Sequence, residues 1–196
     1  MYKIAILLLT LSACSTPALH ELPAKGEHGV IAVVETPAGS AVAVRYHPVE
    51  QRFLPDSSKL DYLPFPCNWG FVPSTRIPHR RTGGFAPVEL LILGQPLESG
   101  RKLEVRPVAA VVLSENGRRK VLVLATPLDA ALGSLSVRDF PDLLIGYPGV
   151  KEGLELWLRQ KDHNGQVEIL DWKDGNFAMR FIEASLPKKN PKQNNK

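Results

Sequence analysis

Cysteine is scarce in this chain of 196 residues, which contains only Cys14 and Cys67. Two cysteines cannot form the framework of a disulfide-rich secreted domain, so that class of protein is excluded. Cys67 lies in the apolar stretch FPCNWGF, with no histidine beside it in the sequence to activate it. We therefore predict that Cys67 is a buried structural thiol and not a nucleophile.

The main body of the chain also lacks an excess of charge. The formal net charge is +4, but five of the 24 lysines and arginines lie at Lys3 and in the tail PKKNPKQNNK, residues 187–196. Without them, 19 basic residues face 20 acidic ones. A neutral body gives no support for nucleic-acid binding. The tail has no apolar residue to anchor it and is predicted to be disordered.

No apolar run is long enough to cross a membrane as a permanent helix, which needs about 20 residues. The longest run is IAILLLTLSA, residues 4–13, and Lys3 precedes it. A positively charged start followed by a short apolar core is typical of a signal peptide. We predict that residues 1–13 are such a signal.

The end of this run, Leu11-Ser12-Ala13-Cys14, resembles the lipobox of bacterial lipoproteins. The resemblance implies cleavage before Cys14 and a diacylglycerol on its thiol, which would anchor the protein to a membrane of the cell envelope. Ser15 implies the periplasmic face of the outer membrane. The alternative is an ordinary secretory signal with a chance cysteine. Residues 14–28 are interpreted as a tether, and residues 29–186 as one folded domain.

The spacing of apolar residues changes from strand-like to helix-like along the main body of the chain. Residues 30–127 contain short β-branched or alternating runs. The Asn-Gly of ENGRR predicts a hairpin between the last two runs, and AGS predicts another between the first two. Helices are predicted in SVRDFPDLL, GVKEGLELWLRQK and NFAMRFIEASL. Strands followed by helices predict an α+β domain, in which helices partly cover a sheet or barrel. The second helix would bury Val150, Leu154, Trp157 and Leu158.

Two consecutive stretches, PFPCNWGFVPST and PVELLIL, resemble the signature region of soluble family I inorganic pyrophosphatases. In that family, Y-P-x-N-Y-G-[FY]-[IV]-P-x-T leads into D-G-D-P-x-D-V-L-V. Similarity in VVETPAG, VRYHP, LEVRPVAAVVLSENGRRKVLVLA and VEILDW extends the resemblance to residues 30–186. It implies a small five-stranded, OB-like β-barrel with flanking C-terminal helices. It also implies inorganic diphosphatase activity and an oligomer.

The chemistry implied by the resemblance needs a carboxylate pocket that holds several Mg²⁺ ions, which neutralise pyrophosphate and generate hydroxide from bound water. Three of the family's aspartate positions fall at Gly84, Ala86 and Arg118 in this sequence. Glycine and alanine can neither bind a metal nor accept a proton, and an arginine reverses the charge. The carboxylates that remain as metal-binding candidates are too few for a multi-ion cluster: Glu35, Glu89 and Glu115.

The basic half of the family's site is retained. Arg45 stands at the position of a phosphate-binding lysine, and Lys120 and Lys161 match two further ones. The tyrosine of the N-Y-G motif is Trp69, which has no hydroxyl group. With the added Arg118, the candidate phosphate-binding residues are Arg45, Lys120, Lys161 and Arg118.

The stretch RIPHRRTGG, residues 76–84, corresponds to an insertion of about five residues in the family's metal-binding loop. Loss of acids with retention of cations predicts a pseudoenzyme that binds a phosphate-bearing anion, with pyrophosphate hydrolysis weak or lost. One alternative is a residual Mg²⁺-dependent diphosphatase. Another is a scaffold or protein-interaction module, in which Arg80, Arg81, Arg118 and Arg119 are exposed loop charges. A third is a transition-metal site at His79, Glu89 and Glu115.

Overall fold

The computed structural model of the protein describes residues 17–59, 63–79, 83–133, 135–160 and 166–188. Strands and helices follow in the order β1 (Val30–Thr36), β2 (Val42–His47), β3 (Arg52–Lys59), β4 (Asn68–His79), β5 (Gly84–Ile92), β6 (Lys102–Glu115), β7 (Arg118–Pro127), α1 (Phe140–Gly146), α2 (Pro148–Gln160), β8 (Val167–Asp174) and α3 (Gly175–Ala184). A short 3-10 turn, Leu19–Glu21, precedes them.

Five strands close into a barrel in the order β1-β4-β5-β7-β6, and β6 pairs back onto β1. The β5–β7 pair is parallel and the other barrel pairs are antiparallel. This is a five-stranded Greek-key barrel of the OB type. The predicted α+β fold, a five-stranded OB-like barrel with C-terminal helices, is confirmed. Strand β8 extends the sheet alongside β6.

The two faces of the barrel strands are buried in different apolar clusters. Leu91 packs with Leu143 and Leu158 of α1 and α2. The next residues on either side of it, Leu90 and Ile92, belong to a second cluster that includes Ile182 of α3. Successive side chains of a strand point to opposite faces, so a strand covered on both sides reads as a continuous apolar run. This explains why the central part of β5 shows little polar alternation.

The three helices lie where the spacing of apolar residues predicts them. Leu154, Trp157 and Leu158 of α2 are buried, and Val150 packs against the same cluster, as predicted. Helix α3 begins after Asp174, whose side chain accepts a hydrogen bond from the Phe177 backbone at 2.8 Å. A carboxylate at this position satisfies one of the free N–H groups at a helix start.

One of the two predicted hairpins is confirmed and the other is wrong. Asn116 and Gly117 have positive φ angles of 55° and 74° and join β6 to β7, as a type I′ turn requires. The stretch AGS does not form a β1–β2 hairpin, because both edges of β1 are paired inside the barrel. Strand β2 instead folds back onto β3 as a separate two-stranded sheet.

The predicted tether contains residues that are packed onto the barrel. The His20 ring lies edge-on to Tyr46 and Phe71, with centroids 5.2 and 4.5 Å away. Ser74 donates a hydrogen bond to the Leu22 carbonyl at 2.7 Å. Aromatic surface between β2 and β4 is thereby covered, and the folded part begins before residue 29.

Several predicted features lie outside the described residues: the signal, Cys14, Arg80, Arg81, Lys161 and the tail from residue 189 onward. In the part of the chain that the structure describes, no helix has the length and apolarity needed to cross a bilayer. Cys67 is 2% exposed, and desolvation by burial raises the pKa of its thiol to about 12. The prediction of a buried structural thiol is confirmed.

The close packing of β4 on β1 can be tested with a pair of glycine substitutions. A Cβ at Gly70 would overlap the Val33 carbonyl oxygen, whereas a Cβ at Gly153 in α2 meets nothing within 4 Å. We expect Gly70→Ala to lower the free energy of unfolding by about 2–4 kcal/mol. We expect Gly153→Ala to raise it by up to about 1 kcal/mol, since alanine favours helix. Urea denaturation of both variants measures these changes in the free energy of unfolding. Equal changes in the two variants would contradict the close approach of β4 to β1 at Gly70.

Candidate functional site

Two cations meet on the indole ring of Trp69. Trp69 lies in β4 and is 1% exposed. The Arg45 guanidinium carbon, from β2, is 5.1 Å from its ring centroid, and the Lys120 ammonium nitrogen, from β7, is 5.7 Å away. Both distances are within the range in which a cation is attracted to an aromatic face. Arg45 and Lys120, which are far apart in the sequence, therefore both contact the same aromatic ring.

Arg45 is held by carboxylates from β1 and β3. Its Nη1 lies 3.0 Å from Glu35 Oε2, and its Nε lies 3.6 Å from Asp56 Oδ2. The other oxygen of Glu35 accepts a hydrogen bond from the Tyr46 backbone at 2.8 Å. The Glu35 carboxylate is therefore fixed in position by two groups of β2, and it orients the guanidinium in turn.

Lys120 is held by carboxylates from β5 and β6. Its Nζ lies 3.0 Å from Glu89 Oε2 and 3.5 Å from Glu115 Oε2. The side chains of all three residues remain about one-quarter exposed, so a dissolved ligand can reach the cluster. We call the set Glu35, Arg45, Asp56, Trp69, Glu89, Glu115 and Lys120 the Trp69 cluster.

Strand alternation explains why these side chains converge. Glu89 and Leu91 share one face of β5, and Lys120 and Leu122 share one face of β7. Leu91 and Leu122 belong to the same apolar cluster as Trp69. The charged residues therefore continue the buried face of the strands to its solvent-exposed end.

Burial and charge act in opposite directions on the ionisable groups. Desolvation by burial raises the pKa of Glu35, although Arg45 opposes this shift. Desolvation alone would lower the pKa of Lys120, but the attraction of Glu89 and Glu115 outweighs it, so the pKa is raised. For Arg45, the carboxylates of Glu89 and Glu35 likewise outweigh desolvation. Both cations consequently keep their charge near neutral pH.

Arg118 and Arg119 do not act as a pair. Both are exposed at the start of β7. Alternation places Arg118 on the face of Lys120, at the rim of the Trp69 cluster. Arg119 points to the other face and interacts electrostatically with Asp171 of β8. Arg118 can therefore reach a ligand at the cluster, whereas Arg119 belongs to a different surface.

Gly84 and Ala86 lie in the paired part of the β4–β5 hairpin. The β4–β5 ladder continues beyond a bulge, with Ile77 opposite Ala86 and His79 opposite Gly84. The insertion therefore lengthens two paired strands. Ala86 lines a cavity of about 380 Å³ whose lining includes none of the Trp69 cluster. These positions supply no carboxylate to that cluster.

The donor set does not fit the several-ion Mg²⁺ cluster that the resemblance implies. Glu89 and Glu115 are directed at one ammonium group, and Glu35 at a guanidinium. Within the described ranges, no three histidine, cysteine or acidic side chains are grouped closely enough to hold a metal ion. Mg²⁺ needs near-octahedral oxygen coordination, which two lysine-bound carboxylates do not provide by themselves.

The sequence identified most members of the Trp69 cluster but not its organisation. It noted Trp69 only as a tyrosine replacement without a hydroxyl. The signal in the sequence was the wide aromatic ring of Trp69 in a site that also retains Arg45 and Lys120. Such a ring could have indicated a cation–π contact. Tyr46, next to Arg45, points away and packs on Phe71 and Phe53.

A family model supplies the decisive comparison: the inorganic pyrophosphatase model matches residues 32–189. The chain belongs to the inorganic pyrophosphatase family. Among curated relatives, the inorganic pyrophosphatase of Agrobacterium fabrum is 29% identical over 173 residues, covering 79% of this chain and 86% of the relative. That of Saccharolobus solfataricus is 27% identical over 161 residues, covering 80% and 89%.

Solved structures of this family have the same fold. The inorganic pyrophosphatase of Thermus thermophilus superimposes with a TM-score of 0.75 at 23% identity, over 87% of this chain and 97% of that one. The structure from Coxiella burnetii gives 0.71 at 22% identity, over 84% and 98%. Nearly complete coverage of both solved structures at such low identity means that the barrel and helices are kept while most side chains differ.

The raised pKa of Glu35 predicts a pH-dependent stability. Because the folded state binds this proton more tightly than the unfolded chain, the contribution is complete below the unfolded pKa of 4.5 and is lost as pH rises through the folded pKa. We expect the stability of the wild-type chain, relative to Glu35→Gln, to fall as pH rises above 4.5. Urea denaturation at several pH values measures the difference.

Glu155 in α2 provides a control with the opposite sign. A hydrogen bond from Lys151 lowers the pKa of Glu155, so its contribution is present above the unfolded pKa and lost as pH falls through the folded one. The wild-type advantage over Glu155→Gln should shrink on acidification. If the wild-type advantage in unfolding free energy changed with pH in the same direction for both variants, the raised pKa of Glu35 would be contradicted.

Proposed function

We propose that this pyrophosphatase-family protein binds a phosphate-bearing anion at the Trp69 cluster and hydrolyses pyrophosphate weakly or not at all. The observation that carries the proposal is the placement of Arg45 and Lys120 on one indole ring. The family's aspartate positions at Gly84, Ala86 and Arg118 meanwhile offer no carboxylate. The binding half of the site is thus retained without most of the hydrolytic half.

Weak hydrolysis follows from what the reaction requires. Attack of water on a phosphoanhydride needs a base, and it needs metal ions to neutralise the charge on the phosphates. Gly84 and Ala86 have no group for either task. Arg118 has the wrong charge for a metal ligand. These three replacements remove functions that a different rotamer or a small movement of the chain cannot restore.

Anion binding is supported by the state of the two cations. Arg45 uses Nη1 and Nε for its carboxylates, and its Nη2 is the donor that we expect to face a ligand. Lys120 has three donors and a raised pKa, which keeps it charged. Arg118 at the rim adds a third cation. A guanidinium and an ammonium held at fixed positions suit phosphate oxygens.

The carboxylates of the cluster set a condition on the ligand. Glu35, Asp56, Glu89 and Glu115 already attract Arg45 and Lys120, so an anion has to compete with them. A multiply charged group competes better than a singly charged one. We therefore infer that the preferred ligand carries a diphosphate or a terminal phosphate, not a lone carboxylate or sulfate ester.

A second candidate function is residual Mg²⁺-dependent diphosphatase activity. It is favoured by the convergence of Glu89 and Glu115 on one point beside Lys120. Mg²⁺ can be held by one or two carboxylates when waters and substrate phosphates complete its shell. Hydrolysis measurements separate this function from simple binding.

We also propose that the protein is anchored in the bacterial envelope by a lipid on Cys14. The support is the sequence alone: a positive start, a short apolar core and Leu11-Ser12-Ala13-Cys14 at its end. Ser15 favours the periplasmic face of the outer membrane. A protein in this location has little access to the pyrophosphate made by cytoplasmic biosynthesis, which is consistent with a site that binds without rapid turnover.

Loss of hydrolysis is tested by measuring phosphate release from pyrophosphate, with Mg²⁺, with Mn²⁺ and without metal, by the purified protein lacking residues 1–14. We expect a rate at least about 1,000-fold below that of an active family enzyme at equal concentration, because the base is missing. Metal-dependent turnover near the family's level, abolished in Glu89→Gln, would contradict the proposal and establish the second function.

Anion binding is tested by calorimetric titration of the same protein with pyrophosphate. We expect Lys120→Met to weaken binding at least about tenfold, the equivalent of one charge-assisted hydrogen bond. The matched control, Arg119→Met, removes an exposed cation from the other face and should change the affinity less than about twofold.

Circular dichroism confirms that each variant is folded. Equal weakening in both variants would show a general charge effect instead of a site. Absence of binding in the folded wild-type protein would exclude the anion site and favour the scaffold or protein-interaction alternative.

A further inference from the structure

The chain enters the described structure beside the β4–β5 hairpin. Leu19 donates its backbone N–H to the Tyr46 hydroxyl at 3.3 Å, which holds the start of the segment against the barrel. His20 and Glu21 line the same cavity as Arg76 and Phe85. The first described residues therefore lie on one particular face of the domain.

The distance from this face to the anchor is short. Three peptide steps separate Cys14 from Pro17, and a fully extended chain covers at most about 3.6 Å per residue, or about 11 Å in total. A flexible tether of fifteen residues would let the domain turn freely. Because residues 17–28 are packed on the barrel, a lipid at Cys14 would instead hold this face close to the bilayer.

The same face carries an exposed aromatic side chain. Phe85 is 65% exposed, in the part of β5 that pairs with the inserted stretch, where it lies opposite Pro78. Pro87 and Pro187 line the cavity beside it, and Arg76 adds one cation. Aromatic side chains are favoured in the boundary between lipid headgroups and acyl chains, and arginine attracts lipid phosphates.

We propose that the face formed by residues 17–21, Arg76, Phe85 and Pro87, here called the hairpin face, rests on a phospholipid bilayer with Phe85 inserted among the headgroups. The inference depends on the lipid anchor at Cys14 proposed above. It adds an orientation to that anchor. The lengthened β4–β5 hairpin thereby has a role that the Trp69 cluster does not require.

Exposed apolar residues elsewhere allow a matched control. Ile145 is 84% exposed, more than Phe85, but it lies in α1, which packs against α2, and it does not line the cavity beside the entry of the chain. If exposure alone brought a side chain to the membrane, Ile145 would be the stronger candidate. Under the proposal, the location of the anchor decides, and Phe85 is the residue that contacts lipid.

The experiment uses the full chain, expressed in bacteria, purified from membranes and reconstituted in vesicles of phosphatidylethanolamine and phosphatidylglycerol. Single variants Phe85→Cys, Arg76→Cys and Ile145→Cys are labelled with an environment-sensitive fluorophore. Cys67 is buried and does not compete for the label. Arg76→Cys keeps Phe85 in place. A lipid-attached quencher then reports which labels lie at the bilayer.

We expect several-fold stronger quenching and a blue shift at positions 85 and 76, and little change at 145. Equal quenching at all three positions, or at none, in protein that stays with the vesicles would overturn the orientation and leave the anchor intact. Recovery of the full chain, without lipid on Cys14, in the soluble fraction would overturn both the anchor and the orientation. Circular dichroism of each labelled variant confirms that the fold is retained.

Discussion

The contact of Arg45 and Lys120 with the Trp69 ring is the constraint on which the rest of the site depends. A buried indole can be shared by two cations only if carboxylates offset their mutual repulsion. Glu35 and Asp56 do this for Arg45, and Glu89 and Glu115 for Lys120. These groups come from the five barrel strands and from the separate β2–β3 sheet, and closure of the barrel brings them together at one end of the domain.

This arrangement separates two properties that a hydrolytic site combines. Cations fixed by carboxylates can recognise phosphate, and carboxylates collected without cations can hold metal ions. Here the remaining acids serve mainly to position the cations, since their oxygens are directed at nitrogen atoms within 3.0 to 3.6 Å. Under the proposed function, a fold shared with inorganic pyrophosphatases recognises the same chemical group without rapid hydrolysis.

The packed N-terminal segment and the β4–β5 hairpin form a second surface at a different place on the barrel. His20 covers aromatic surface between β2 and β4, and the exposed Phe85 lines the nearby cavity. In our interpretation, recognition at the Trp69 cluster and contact with a bilayer are carried by different surfaces. A ligand at the cluster would then stay accessible while the protein is held at the membrane.

Sequence patterns were enough to predict the features that depend on neighbours along the chain: the Asn116-Gly117 turn, the buried stripe of α2, and the signature motifs that indicated the barrel. They could not determine that β2 leaves β1 for β3, because that choice depends on both edges of β1 being occupied. Strand β8 was missed because only partial burial marks it. The tertiary structure alone decided that residues 17–28 pack on the barrel, and that Trp69 supports both cations. These contacts join distant segments, and their energy comes from burial and charge balance that no local pattern records.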